Sequence, residues 1–285
     1  MIPANFEYYR ATSVDEAIDL MVEHGMDAKI LAGGHSLLPA MKLRLNQPGV
    51  LIDIGRIDGL KGISKGDGEL IIGASVTHHE LATSTLISSS LSLISEAAES
   101  IGDVQVRNVG TIGGSLAHAD PAADWPAVLI AANATIDVRG TDGNRSITAD
   151  DFFTDFFTTA LEDNELITAI RIPFPPDGTT SSYQKFMQPA SRFALVGCAI
   201  MVTQSDGVCE RVSVAFTGVS EAAFRDEGIE GALLGKALNE ENIATAANKA
   251  AQGMSILSDH FASEEYRGHL ARVYAKRAMM AVRTT

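Results

Sequence analysis

Lys29-Ile30-Leu31-Ala32-Gly33-Gly34-His35-Ser36 puts an apolar run directly ahead of two consecutive glycines. Residues 29–31 read as a short strand, and the glycines let the backbone turn where a side chain would forbid it. A second double glycine follows about 80 residues later, in Gly110-Thr111-Ile112-Gly113-Gly114-Ser115, after a turn and ahead of a helical region. Consecutive glycines let main-chain N–H groups converge on one concavity and approach an anion closely, and the flanking Ser and Thr add hydroxyls. One such loop is most often a plain turn. Two in one chain suit a pyrophosphate gripped from both sides, and hence a dinucleotide. Neither stretch has the G-x-G-x-x-G spacing of a Rossmann unit or the G-x-x-x-x-G-K-[ST] of a P-loop.

The flanking sequence supplies the frame. Ser13-Val14-Asp15-Glu16 is a capping box, with Val14, Ala17, Ile18 and Met21 on one helical face and Gly25 as the stop. Residues 37–45 read as a turn or short helix interrupted by Pro39, and residues 50–54 as a second apolar strand. Helix, strand, loop and strand in this order predict a small partly parallel βαβ unit. A strand at 70–72, a capping box at Thr77-His78-His79-Glu80 and a helix over 91–101 ended by Gly102 come next. Asp120-Pro121 is expected to open a helix that runs through Trp125 to about residue 132. Asp142-Gly143 marks a hairpin, and residues 167–172 form an alternating strand stopped by Pro173. Pro173-Phe174-Pro175-Pro176-Asp177-Gly178 is the linker candidate. Beyond it lie three strand-like runs, at 183–187, 195–203 and 208–217, the last two joined by Asp206-Gly207. Helices are expected at about 224–234, 240–252 and 264–282. The expected fold is α+β. Residues 1–176 form a two-part domain, a parallel unit plus a mixed or antiparallel sheet with helices. Residues 177–285 form a three-stranded antiparallel sheet with a helical bundle.

Composition narrows the function. The chain has 285 residues, and 22 Lys+Arg against 36 Asp+Glu leave a formal charge of −14. Phosphate contacts need clustered cations, so nucleic acid and an anionic membrane surface are disfavoured as partners. Two cysteines, Cys198 and Cys209, are too few for an iron–sulfur cluster or a structural zinc and are not spaced as C-x-x-C. Cys198, in an apolar run, reads as a buried inert thiol. No apolar run approaches the ~20 residues of a membrane span. Residues 1–7 lack the basic and apolar regions of a signal peptide, so the expected location is cytoplasmic.

Residues 29–39 resemble the first FAD loop of the molybdenum hydroxylase flavoprotein subunits, and Arg107-Asn108-Val109-Gly110-Thr111-Ile112-Gly113-Gly114-Ser115 resembles their second. The resemblance covers nearly the whole chain. It is nearest to the medium subunit of the aerobic carbon monoxide dehydrogenase branch, with xanthine dehydrogenase and the nicotine, quinoline and hydroxybenzoyl-CoA enzymes in the wider circle. It implies FAD held by Ala32, Gly33, Gly34, His35, Ser36 and Leu37 and by Thr111, Ile112, Gly113, Gly114 and Ser115. It implies Lys29 near the phosphates or adenosine, Asp124 on FAD hydroxyls, Ile167 as an apolar contact and Lys185 near the isoalloxazine, where a cation stabilises anionic reduced flavin. Phe193 stands where the carbon monoxide dehydrogenase branch carries a tyrosine beside the flavin ring, a departure that removes a hydroxyl. The resemblance further implies a large subunit with molybdenum cofactor and a small subunit with two [2Fe–2S] clusters, assembled as a dimer of heterotrimers. Electrons then pass through FAD to an external acceptor, which offers a route to association with the inner face of the membrane.

Other features have simpler readings. His35 beside Ser36, with Asp53 downstream, lacks the G-x-S-x-G of a hydrolase. His78 and His79 point about 100° apart at a helix start, so polar surface is expected there and not a metal site. Asp150-Asp151 reads as a solvated turn. Phe152, Phe153, Phe156 and Phe157 are expected in the core, with subunit docking as the alternative. Trp125 reads as core or interface. Arg267, Arg272, Lys276, Arg277 and Arg283 are expected to form a basic end on the last helix. Two further functions stay open: a redox-silent FAD-binding assembly protein, and a stand-alone FAD oxidase.

Overall fold

The computed structural model describes residues 1–283. The chain opens with β1 (Glu7–Arg10), α1 (Val14–His24), β2 (Ala28–Leu31), α2 (Leu37–Lys42) and β3 (Val50–Asp53). β3 lies between β1 and β2 and is parallel to both. Strand β1 was not among the expected elements. Its Tyr8 and Arg10 are polar and lie on the sheet face away from α1, which masks its period. Ser13 caps α1 by accepting from Glu16 N–H, but the Glu16 carboxylate turns back to Thr12, bonding both its N–H and its hydroxyl. Pro39 does not interrupt α2. It is the third residue, where the missing N–H would have had no partner in the helix.

The central part runs β4 (Ile63–Lys65), β5 (Glu69–Gly73), α3 (His78–Thr83), α4 (Thr85–Ser90), α5 (Ser92–Ser100), α6 (Val104–Val109), α7 (Ile112–His118), α8 (Trp125–Ala131), β6 (Thr135–Gly140), β7 (Gly143–Thr148), α9 (Ala149–Phe152), β8 (Phe153–Asp155), β9 (Thr158–Thr159) and β10 (Leu166–Pro173). Its antiparallel sheet has the order β4-β5-β10-β6-β7. A bulge between Ile167 and Ala169 reverses the alternation of β10, so Ile167, Ile170 and Ile172 all enter one core. Asp120-Pro121 does not open a helix. Ala119 is left-handed (φ 49°), the Asp120 carboxylate accepts from Ala122 N–H at 2.9 Å, and the helix begins at Trp125 with Pro126 second. Pro121 O instead accepts from Gly218 N–H and the Thr217 hydroxyl.

The last part has β11 (Thr179–Met187), β12 (Ala194–Ser205), β13 (Val208–Thr217), β14 (Phe224–Arg225), α10 (Glu227–Leu233), α11 (Glu240–Ala247) and α12 (Glu264–Ala281). The three expected antiparallel strands are joined by the two-residue β14 at the β13 edge. This sheet is covered on both faces. Ala199 and Ala215 pack into the core around Trp125, while Val196, Cys198, Ile200, Val202, Val214 and Phe216 meet α10–α12. Double burial explains why β12 reads as an unbroken apolar run. It also pushes the Cys198 thiol far up, so the group is inert.

Two expectations about charge and aromatics change. Phe152 and Phe153 are buried, but Phe156 and Phe157 stand in the open beyond β8. Arg267 is not part of a basic surface: it lies in the first turn of α12, 3% exposed, bonded to Leu195 O (2.7 Å), Gly218 O (2.6 Å) and Asp259 (2.7 Å). It thereby clamps one end of the β12–β13 pair, the end opposite the Asp206-Gly207 turn, to the bundle. Arg267→Met is expected to lower stability by about 3 kcal/mol, because two buried carbonyls lose a charged donor. Guanidinium denaturation measures this, and a loss below about 1 kcal/mol would remove the clamp.

Candidate functional site

The two glycine loops meet. A Cβ on Gly33 would strike the main chain at Val109 and Gly110, which lies nearer than any side chain can tolerate. Ala32 Cβ sits 3.7 Å from the position a Gly114 Cβ would take. Gly34 adopts φ 73° and folds over the Leu31 and Leu38 side chains. His35 is exposed, and its Nε2 lies 3.1 Å from Gln105 O. Ser36 is exposed and precedes α2, of which Leu37 is the first residue. Lys29 is exposed on β2.

The loops differ in what they offer. The second is the start of helix α7, not a free loop. Its buried Thr111 caps the helix, accepting from Gly114 N–H at 3.1 Å. Ile112 N–H donates to Val76 O, Gly113 N–H to Ala74 O and Ser115 N–H to Thr111 O. In the first loop, the N–H groups of Gly33, Gly34, His35, Ser36 and Leu37 donate to no other group among the described residues. Five consecutive main-chain donors therefore stand open beside the bare, exposed Gly114.

A buried ion pair is tied to the segment that leads into the second loop. Lys185 Nζ contacts the Asp124 carboxylate at 2.9 Å, and the two side chains are 3% and 5% exposed. The other two ammonium protons go to Ser100 O (2.9 Å) and Arg192 O (2.8 Å). Tyr183 donates its hydroxyl to Asp124 at 2.5 Å. Burial drives the Asp124 carboxyl upward, opposed by Lys185 and by the Tyr183 hydroxyl; burial and the Asp124 charge raise Tyr183 as well. Both Asp124 oxygens and all three Lys185 protons thus have partners within the chain, not the open ones expected for direct contact with a ligand. Tyr183 did not figure among the expected site residues. Its signal was strand period two, which puts it on the same face as Lys185.

His78 forms the wall behind Gly110. It is buried, its N–H donates to Gly110 O, and its Nδ1 accepts from Trp125 Nε1 at 3.1 Å. It is therefore not polar surface, contrary to the expectation for the start of this helix. The segment 100–115 links everything described. It carries Ser100 O for Lys185, Gly102 O for Arg192, Gln105 O for His35, and Val109–Gly110 against Gly33. Phe193 is 42% exposed and ends the turn that holds Arg192. Ile112 and Ile167 place their side chains in the central core. Ile167 stays near the second loop through Ala74, which donates to Thr168 O and accepts from Gly113 N–H. No group of three His, Cys, Asp or Glu among the described residues is placed to hold a metal ion.

Two measurements test this core. Burial, first, and then the charges of His35 and Arg107 lower His78 from 6.5 to about 4. The stability it contributes is complete above 6.5 and is lost as pH falls toward 4, because only the unfolded chain binds the proton. Between about pH 7.5 and pH 5 this amounts to about 2 kcal/mol. His78→Gln should flatten the pH dependence of denaturation by that amount, and an unchanged slope would contradict it. Lys185→Met is expected to cost about 3 kcal/mol by leaving Asp124 buried and unpaired, and adding Asp124→Asn should restore much of it. Additive losses in this cycle would show that the pair is not coupled.

Two family profiles cover the chain. The FAD binding domain in molybdopterin dehydrogenase matches residues 4–175, and the CO dehydrogenase flavoprotein C-terminal domain matches residues 181–282. The chain is 41% identical to the carbon monoxide dehydrogenase medium chain of Hydrogenophaga pseudoflava, over 99% of this chain and 98% of that one. It is 37% identical to the 6-hydroxypseudooxynicotine dehydrogenase complex subunit alpha of Paenarthrobacter nicotinovorans, over 98% and 95%. In three dimensions it superposes on a chain of the Hydrogenophaga pseudoflava carbon monoxide dehydrogenase that lacks the Mo-pyranopterin moiety, with a TM-score of 0.96, 42% identity and coverage of 99% and 98%. The chain belongs to the FAD-binding flavoprotein family of the molybdopterin dehydrogenases.

Proposed function

We propose that this chain is the FAD-carrying electron-transfer subunit of a molybdenum hydroxylase complex of carbon monoxide dehydrogenase type. The observation that carries the site is the row of five N–H donors from Gly33 to Leu37 that have no partner among the described residues and lie in the loop next to Gly114. Such a row stabilises a pyrophosphate, and glycine at 33 lets the two loops close on each other around it. The first loop supplies the donors. The second supplies a surface without side chains, and Ser115 adds a hydroxyl. Lys29, exposed on the strand before the first loop, adds a positive charge at the phosphate end.

When bound, FAD supplies the redox chemistry, accepting electrons from one partner and passing them to another. The residues of the chain position it. The Asp124–Lys185–Tyr183 cluster holds the base of the site rigid, and the turn that ends in Phe193 presents its ring toward solvent. Only two cysteines are present and both are buried, so the chain lacks the ligands for a cluster. Molybdenum cofactor in a large subunit and two [2Fe–2S] clusters in a small subunit complete the proposed complex, a dimer of heterotrimers with an external acceptor. Two reduced, buried thiols suit a cytoplasmic setting. No helix of the described residues is long and apolar enough to cross a membrane, so association with its inner face would run through the acceptor. A second reading, a redox-silent FAD-binding assembly protein, draws on Lys185, whose charge is matched inside the chain, and on Phe193, which lacks a hydroxyl.

The wild-type chain is expected to bind stoichiometric, non-covalent FAD that dithionite reduces and a dye reoxidises. Gly33→Val and Gly114→Val should each leave it colourless, because the side chain at 33 drives the two loops apart at Val109–Gly110 and the one at 114 crowds the Thr111 cap and the first loop at Ala32. Retained flavin in both variants would remove the loops from the site. Bound but redox-silent flavin would select the second reading.

A further inference from the structure

β2, the first glycine loop, α2 and β3 form a parallel strand–loop–helix–strand unit. Asp53 ends β3, 20 residues after Gly33, and pairs in register with Leu31, the last residue of β2. Ile54 N–H donates to Leu31 O at 3.1 Å, holding these two strand ends together. Residues paired across a sheet share a face. Tyr8 and Arg10 of β1, Leu51 and Asp53 of β3, and Lys29 and Leu31 of β2 therefore lie on one face. Val50, Ile52 and Ala28 lie on the other, in the core with α1. The first glycine loop leaves β2 directly after Leu31, and Gly34 packs over the Leu31 side chain, so the loop and Asp53 both lie at the carboxyl end of the paired strands.

Asp53 is prepared for a ligand there. Its Oδ2 accepts from Tyr8 and from Arg10 Nε, and its Oδ1 accepts from Gly55 N–H at 2.8 Å, which leaves a lone pair on Oδ1. The Tyr8 ring and the Arg10 guanidinium, 5.5 Å apart, remain open to solvent. In parallel αβ units, a carboxylate at the end of the second strand, about 20 residues past the glycine loop, meets the ribose of a dinucleotide whose pyrophosphate sits on that loop. The sequence lacks the G-x-G-x-x-G of such units, but the strand order and the placement of the acid reproduce their geometry.

We propose that Asp53, held by Tyr8 and Arg10, accepts a hydrogen bond from a ribose hydroxyl of the adenosine half of the dinucleotide, and that this contact makes the chain prefer FAD to FMN. The assignment rests on the FAD reading above. It also gives the Tyr8–Asp53–Arg10 cluster a use that an exposed ion pair alone does not explain.

The test is a binding cycle on the full-length apo chain, using FAD, FMN and an FAD whose adenosine lacks both ribose hydroxyls. The wild type should bind the dideoxy dinucleotide about tenfold more weakly than FAD. Asp53→Ala should weaken FAD by a similar factor, bind FAD and the dideoxy analogue equally, and leave FMN binding unchanged. Tyr8→Phe removes one tie to Asp53 but keeps the carboxylate, so it should preserve the discrimination. Circular dichroism checks that each variant is folded. Equal wild-type affinity for FAD and the analogue, or undiminished discrimination in Asp53→Ala, would overturn the proposal. A wild-type chain that binds no FAD would overturn the dinucleotide reading itself.

Discussion

A carboxylate and an ammonium removed from water persist only if they meet each other and fill their remaining hydrogen bonds, and the Asp124–Lys185 pair does both. Its members come from distant parts of the chain. Asp124 precedes α8, Lys185 and Tyr183 lie on β11, Ser100 ends α5, and Arg192 belongs to the turn that carries Phe193. None of these segments can move without leaving a buried charged group short of a hydrogen-bond partner. The pair therefore sets where the C-terminal sheet docks, and with it the position of the Phe193 turn relative to the glycine loops.

The second constraint is steric. Gly33 touches the main chain at Val109–Gly110, and the ridge 100–115 that brings this contact about also binds Lys185, Arg192 and His35. The close approach is what divides the work between the loops. The second satisfies its own N–H groups by becoming the start of α7, tied to Ala74 and Val76. The first, wedged against it, has no neighbour among the described residues to take its donors. His78, neutral and packed between Gly110 and Trp125, closes the back of the ridge without adding charge beside the second loop.

Much of the frame was legible because it rests on interactions a few residues apart. The capping box at Thr77 and Glu80 forms reciprocally, and the Asp142-Gly143 and Asp206-Gly207 turns join the strands expected of them. The α+β order was readable from the same local helix and strand patterns, and the family from the resemblance of the two glycine stretches. The errors share a cause. Asp120-Pro121 has the local form of a helix start, yet Pro121 O is claimed by Thr217 and Gly218 nearly a hundred residues on. Arg267 has the composition of a surface cation, but Leu195 O and Gly218 O draw it inside. His78 looks polar at a helix start until Trp125 covers it.

The sequence by itself determined most of the longer helices and strands, the two double-glycine stretches, the acidic net charge and the lack of cluster ligands, because these depend on residue type and near neighbours. Tertiary structure alone decided which glycine stretch keeps open donors, that Asp124 and Lys185 bind each other, that Ile112 and Ile167 face the core, and that Asp53 lies at the same end of the paired strands as the first loop. Each of these depends on contacts between residues far apart in the chain, and such contacts are settled by the close packing of the whole molecule rather than by local preference.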